Sequence, residues 1–219
     1  MTAKQEVHRY LTEATIAYGT FFAFSLLGRL IPDVFYLVMV TGIAFPLVWA
    51  TRTRNWVAIG FTRRNWKPAV LWGTGIGVSL GGLAYIALTS QGRRLPQDTP
   101  LLQLIIGILL SFLVVSPFQE FFFRGWLQPR FQGALGKWAG LLTCSICFAV
   151  WDVMPLLNSS FSLTTILTSI GLIPASFSFA VLFGYVFQRT GNILAPWSAH
   201  GIVVIALLIT GQVVLYRVT

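Results

Sequence analysis

Six carboxylates occur in the chain, Glu6, Glu13, Asp33, Asp98, Glu120 and Asp152, and only Glu120 and Asp152 sit among apolar residues. Glu120 closes a long apolar run within Ser116–Gly125, and Arg124 follows four residues later. On a helix that spacing places both on one face. An ionisable side chain at membrane depth is expensive and marks a functional site by default. An arginine at that distance holds a carboxylate ionised. It serves equally well as the partner that makes a charged helix end tolerable, so a working pair and a purely structural pair both fit. Asp152 follows Phe148-Ala-Val-Trp151. An aspartate near the bilayer centre costs about 2.5–3.5 kcal/mol on insertion scales, so a buried partner is expected, either His200 or a bound cation.

His200, in Ala195-Pro-Trp-Ser-Ala-His-Gly201, is the one histidine outside the amino-terminal arm. Glu120, Asp152 and His200 together supply two oxygens and one nitrogen from three helices. That donor set suits a hard or borderline cation such as zinc, with an open position. It also suits a metal-free site in which a carboxylate activates water for attack on a peptide bond. Side chains that work together should converge to within about 10 Å, which leaves room for one water or ion. Cys144-Ser-Ile-Cys147 has the spacing of a redox or zinc pair without the further ligands or the fold context such uses need. The two cysteines read as small helix-packing residues. No Gly-rich phosphate loop, nucleophile elbow or HExxH is present.

These residues must be positioned by membrane helices. The 219-residue chain is 56% hydrophobic and 10% charged, where soluble domains carry roughly a quarter charged residues. About 20 apolar residues span a bilayer. Seven such spans are predicted, near 15–31, 34–50, 68–89, 101–122, 138–157, 164–188 and 193–215. The fold class is all-α, a polytopic helical bundle with a polar cavity opening toward the cytoplasm. A polar arm (1–13) precedes three amino-terminal spans with a basic loop (14–100) and a four-span core (101–219). The stretch 124–137 reads as an interfacial loop or short helix. At least two of Phe121, Phe122 and Phe123 are expected to face lipid. Gly73, Gly77 and Gly81 recur every four residues, a face suited to close helix packing. Pro174 interrupts the sixth span.

The net charge of +9 would suggest nucleic acid in a soluble protein. In a membrane protein it reports the positive-inside rule, and no nucleic-acid partner is expected. With the amino terminus in the cytoplasm, eleven of the fifteen lysines and arginines are cytoplasmic, Arg124 and Arg130 among them. The chain is thus expected to be an integral membrane protein, plausibly of the plasma membrane, with the amino terminus inside.

Three segments within about 101–209 resemble the CPBP family, the intramembrane CAAX-type and bacteriocin-processing proteases also called the Abi family. Gln119-Glu-Phe-Phe-Phe-Arg-Gly-Trp-Leu-Gln128 resembles its first motif, Glu-Glu-x-x-x-Arg. Phe148-Ala-Val-Trp-Asp152 resembles the second, Phe-x-x-x-His, and Gly184–His200 resembles the lead-in to the third, His-x-x-x-Asn. The resemblance implies a CAAX-processing endopeptidase acting on a membrane-anchored peptide or lipidated protein within the bilayer. It implies a catalytic set of Glu120, Asp152 and His200, supported by Gln119, Arg124 and Phe148. In the family the first glutamate activates water, the second glutamate and arginine support the site, and the histidines and asparagine hold water, a metal or the developing oxyanion. Here the first glutamate is Gln119, the second-motif histidine is Asp152 and the third-motif asparagine is Val204. An amide accepts no proton at neutral pH. Two readings therefore stand beside each other. One is an endopeptidase in which Asp152 or a rotated Glu120 takes over the base. The other is an inactive member acting as a scaffold, chaperone or immunity protein. An ion or proton carrier using Asp152 and Glu120 is a third reading, opposed by the lack of an inverted repeat.

Overall fold

A computed structural model describes residues 2–95, 99–153 and 163–213. The described residues form seven helices and no strand: α1 (Ala3–Leu30), α2 (Pro32–Thr53), α3 (Trp66–Ser90), α4 (Leu101–Leu135), α5 (Lys137–Asp152), α6 (Leu163–Thr190) and α7 (Leu194–Ile209). The fold is the expected all-α membrane bundle. Four described stretches have the length and apolarity to cross a bilayer: Tyr36–Thr53 in α2, Trp66–Ser90, Leu101–Leu135, and Ile170–Thr190 in α6. α7 is apolar but shorter.

Local chemistry sets the helix ends. Thr2 and Gln5 form a capping box at the start of α1, satisfying two amides that the helix leaves free. Pro32 opens α2 at a position where its missing N–H is no loss. Gly191, with φ +63, turns the chain between α6 and α7 in a conformation that favours glycine. Pro174 lies inside α6, and the helix is assigned continuously through it.

α4 is the organising element. It runs through most of 124–137, expected to be an interfacial loop or short helix: the stretch to Leu135 is helical, but continuous with α4 and largely buried instead of interfacial. Two segments, Ser111–Val115 and Phe121–Leu127, widen to π-type turns. Each lies shortly before a proline, Pro117 and Pro129, whose missing N–H interrupts the regular ladder. Every residue from Ser116 to Gln128 is buried. A helix buried on all sides belongs at the centre of a bundle. None of Phe121, Phe122 and Phe123 faces lipid: they are 3%, 3% and 0% exposed. Phe122 stacks on Phe21 of α1 with centroids 4.1 Å apart, Phe123 meets Phe148 of α5 at 5.1 Å, and Phe121 meets Trp197 of α7 at 5.8 Å. Lipid exposure was expected because an apolar run has no pattern to say which neighbours surround it.

The glycine face of α3 packs as its spacing requires. A Cβ at Gly73 would collide with Ala195 and Ser198 of α7, and one at Gly77 would lie 2.9 Å from the Ala199 carbonyl oxygen. Arg130 also departs from expectation, because it is buried in the bundle. It pairs with Glu13 at 3.0 Å, and its guanidinium lies 3.6 Å from the centre of the Trp126 ring. Arg124, too, is buried and adds nothing to an interfacial charge belt. One end of the bundle gathers the start of α1, the α2–α3 loop, the end of α4 and the α6–α7 turn. The links are Arg130–Glu13 and two bonds from the Asn192 amide to the carbonyls of Thr62 and Arg64.

Candidate active site

α4 presents Ser116, Glu120 and Arg124 at successive turns, and α7 brings His200 across from them. Nδ1 of His200 lies 2.7 Å from Glu120 Oε1. The other carboxylate oxygen is 3.3 Å from Arg124 Nε, an ion pair off the line of a hydrogen bond. Both Glu120 and Arg124 are almost wholly buried. A buried carboxylate is tolerated when paired and strongly destabilising when its partner is removed. Glu120 has two such partners.

Aromatic rings fix the geometry. The Arg124 guanidinium sits 4.4 Å from the centre of the Phe148 ring, while its Nη2 donates to the Ala180 carbonyl at 3.3 Å. The His200 ring lies 5.5 Å from Phe183 in a stacked arrangement and 6.2 Å from Phe148 edge-on. Phe148, named from the sequence as a supporting residue, touches both the cation and the imidazole. Phe183, Ala180 and Ser176 of α6 were not singled out. Ser176 alone had a signal, as a hydroxyl residue within an apolar span; a phenylalanine among phenylalanines and a backbone carbonyl carry none.

Asp152 pairs with Ser176 and not directly with His200. Its Oδ2 accepts a hydrogen bond from the Ser176 hydroxyl at 2.7 Å. Asp152 lies at the end of α5, one turn past Phe148. Val204, one turn beyond His200, is buried and apolar and offers no donor. Gln119 is buried, with its Oε1 lacking a partner. Ser116 Oγ, Glu120 Oε2 and Arg124 Nη1 also lack hydrogen-bond partners. These are four unmet polar atoms on consecutive turns of one helix, where buried polar groups are rarely left unbonded.

A metal does not fit this donor set. Among the described residues, no three His, Cys, Asp or Glu side chains are grouped to hold an ion. Glu120 and His200 are directed at each other instead of at a shared third point, and Asp152 is bonded to Ser176. Glu120, Asp152 and His200 therefore do not form the expected ligand triad. Cys144, as expected of a packing residue, is buried and donates its thiol to the Phe123 carbonyl at 3.2 Å.

The larger of two described cavities, about 810 Å³, is an apolar groove between α1 and α2, floored by Phe122 and Trp126. None of Gln119, Glu120, Asp152 and His200 lines it or the second cavity, of about 780 Å³. The expected polar cavity is thus not among these two. Phe118, Phe122 and Phe123, packed against Phe21, stand between the groove and the far side of α4.

Residues 101–206 match the family model of the Rce1-like type II CAAX prenyl endopeptidases. No curated protein and no solved structure matches the chain. The matched residues are those of α4, α5, α6 and most of α7, the four helices that hold Glu120, Arg124, Asp152 and His200. Through this core, the chain is similar to the CAAX-protease (CPBP) family of intramembrane endopeptidases.

Proposed function

We propose that the protein hydrolyses a peptide bond in a membrane-anchored substrate of the CAAX type, with His200 as the base and Glu120 as the group that holds it. The carrying observation is the 2.7 Å contact between Glu120 Oε1 and His200 Nδ1. When Nδ1–H is donated to the carboxylate, the lone pair lies on Nε2. A carboxylate that orients an imidazole and stabilises its protonated form is a recurring way to make histidine a base. In this reading a water near the unmet polar atoms of Ser116 and Gln119 loses a proton to His200 Nε2 as its oxygen attacks the peptide carbonyl carbon. The resulting oxyanion is stabilised by the Gln119 amide and by the Arg124 guanidinium. His200 then returns the proton to the leaving nitrogen as the carbon–nitrogen bond breaks. The base lost with the first glutamate is thereby supplied from α7 by His200. Asp152, bonded to Ser176, ties the end of α5 to α6 beside the site. A lipidated cysteine near the scissile bond would anchor in the bilayer, and the amino terminus would be cytoplasmic.

A second reading rests on the same site. Gln119 supplies no base, Val204 no donor, and Asp152 is engaged with Ser176. An inactive member that binds a membrane peptide as scaffold, chaperone or immunity protein would have this set. A reconstituted cleavage assay on membrane-anchored, cysteine-lipidated peptides separates the two. Turnover by the wild type, abolished in His200→Ala, establishes the endopeptidase. No turnover in the wild type, with gain in the double variant Gln119→Glu, Asp152→His, establishes the inactive member.

A further inference from the structure

The second cavity lies at the end of the bundle that carries the α2–α3 loop, away from Glu120 and His200. It measures about 780 Å³ and is lined by Trp56, Phe61, Thr62, Arg63, Trp66 and Asn192, with Leu194 at its edge. Its character is one-sided in charge. From residue 34 to residue 97 the chain has no aspartate or glutamate, while Arg52, Arg54, Arg63, Arg64 and Lys67 crowd the loop. Among the described residues neither Arg63 nor Arg64 pairs with a carboxylate. Trp56, Phe61 and Trp66 all stand exposed, as tryptophans do at the headgroup level of a bilayer.

The cavity also holds directed donors. The Thr62 hydroxyl oxygen accepts from Arg64 N at 3.1 Å, which leaves its own proton to donate. α3 begins at Trp66 behind Asn65, whose side chain makes no cap bond. At the positive dipole end of this 25-residue helix the amides of Trp66 and Lys67 lack a backbone partner, while Pro68 has no N–H and Ala69 N donates to the Asn65 carbonyl. Lys67 Nζ lies 5.7 Å from the Trp66 ring centre, adding charge at the rim. The wall is rigid. The Asn192 amide donates to the carbonyls of Thr62 and Arg64 at 2.8 and 2.9 Å, and its Oδ1 accepts from Leu194 N at 3.0 Å.

We infer that this cavity is a binding site for the phosphate headgroup of an anionic phospholipid in the leaflet that the α2–α3 loop faces. Arg63, the Thr62 hydroxyl and the amides of Trp66 and Lys67 take the phosphate, and Trp56, Phe61 and Trp66 take the glycerol and the upper acyl chain. The charge and the amphipathic lining select this occupant: a zwitterionic headgroup brings a cation against five others. Each lysine or arginine near a membrane surface contributes on the order of 1 kcal/mol toward anionic lipid, about a fivefold change in retention.

The test is native mass spectrometry of the protein released from nanodiscs made of equal parts phosphatidylglycerol and phosphatidylcholine. The wild type should retain phosphatidylglycerol in preference. Arg63→Gln should lower that retention about fivefold, and Trp66→Ala should lower it as well. Arg93→Gln, which removes the same charge beyond the other end of α3, should leave retention unchanged. Arg63 is exposed, so Arg63→Gln should keep the wild-type unfolding midpoint in detergent. Equal retention of both lipids by the wild type overturns the inference. So does equal loss in Arg63→Gln and Arg93→Gln, which would make the effect a general field. Displacement of the lipid by glycerol phosphate at equal concentration would show a soluble-anion site and also overturn it.

Discussion

Glu120 of α4 and His200 of α7 are eighty residues apart in sequence, and their Oε1 and Nδ1 atoms lie 2.7 Å apart. The opposite side of the same carboxylate faces Arg124 at 3.3 Å. A carboxylate held from both sides is fixed in place, and in the proposed mechanism it orients His200.

That orientation has a kinetic consequence under the proposed mechanism. Glu120→Gln keeps the shape of the side chain but removes the charge that stabilises a protonated imidazole. Cleavage of a membrane-anchored peptide should fall by about 10²–10⁴-fold, with KM little changed. His200→Ala should lose at least as much. Single-turnover rates in proteoliposomes read both.

The pairing is also a stability element. Glu120→Ala leaves the Arg124 guanidinium buried without its anion, and should destabilise the bundle by about 3–5 kcal/mol. Glu120→Ala combined with Arg124→Met should be less destabilised than Glu120→Ala alone. Unfolding midpoints in detergent for the single and double variants measure the coupling.

Asp152 and Ser176 give a separate test. Their 2.7 Å bond joins the end of α5 to α6. Ser176→Ala should destabilise by about 1–3 kcal/mol by leaving a buried acceptor unmet. Asp152→Asn retains an acceptor for the Ser176 hydroxyl and should change stability less than Ser176→Ala does. Thermal unfolding followed by circular dichroism compares them.

The α3–α7 seam admits no side chain at Gly77. At Gly77 a Cβ would lie within 3.0 Å of the Ala199 carbonyl oxygen, its Cα and Ile202 Cβ. Gly77→Leu should cost about 1–3 kcal/mol, the range for overpacking, and should displace α7 and with it His200. Gly75→Leu, where nothing lies within 4 Å, should be near neutral. The contrast in unfolding midpoint between these two variants of one helix isolates packing from helix propensity.

Much of this protein is written locally. Composition and the length of the apolar runs specify a membrane bundle of helices, because a bilayer accepts only backbone that satisfies its own hydrogen bonds. The four-residue spacing of Gly73, Gly77 and Gly81 specifies a close seam, since residues at that interval share a face whatever the partner. The same spacing pairs Glu120 with Arg124. Residue types in Gln119–Gln128, Phe148–Asp152 and Gly184–His200 carry the family resemblance. What none of these features contains is the identity of a neighbour. Phe121, Phe122 and Phe123 are apolar whether they meet lipid or protein, and only the packing of α1, α5 and α7 around α4 decides for protein. A carboxylate in need of a partner is legible in Asp152, but the choice of Ser176 over His200 depends on how α5 and α6 lie against each other. Likewise, a buried Glu120 and a buried His200 are each legible as costly groups. That each is the other's partner, and that the donors therefore do not close on a metal, is settled by contacts across eighty residues, because periodicity fixes which face a residue occupies and tertiary packing fixes what that face meets.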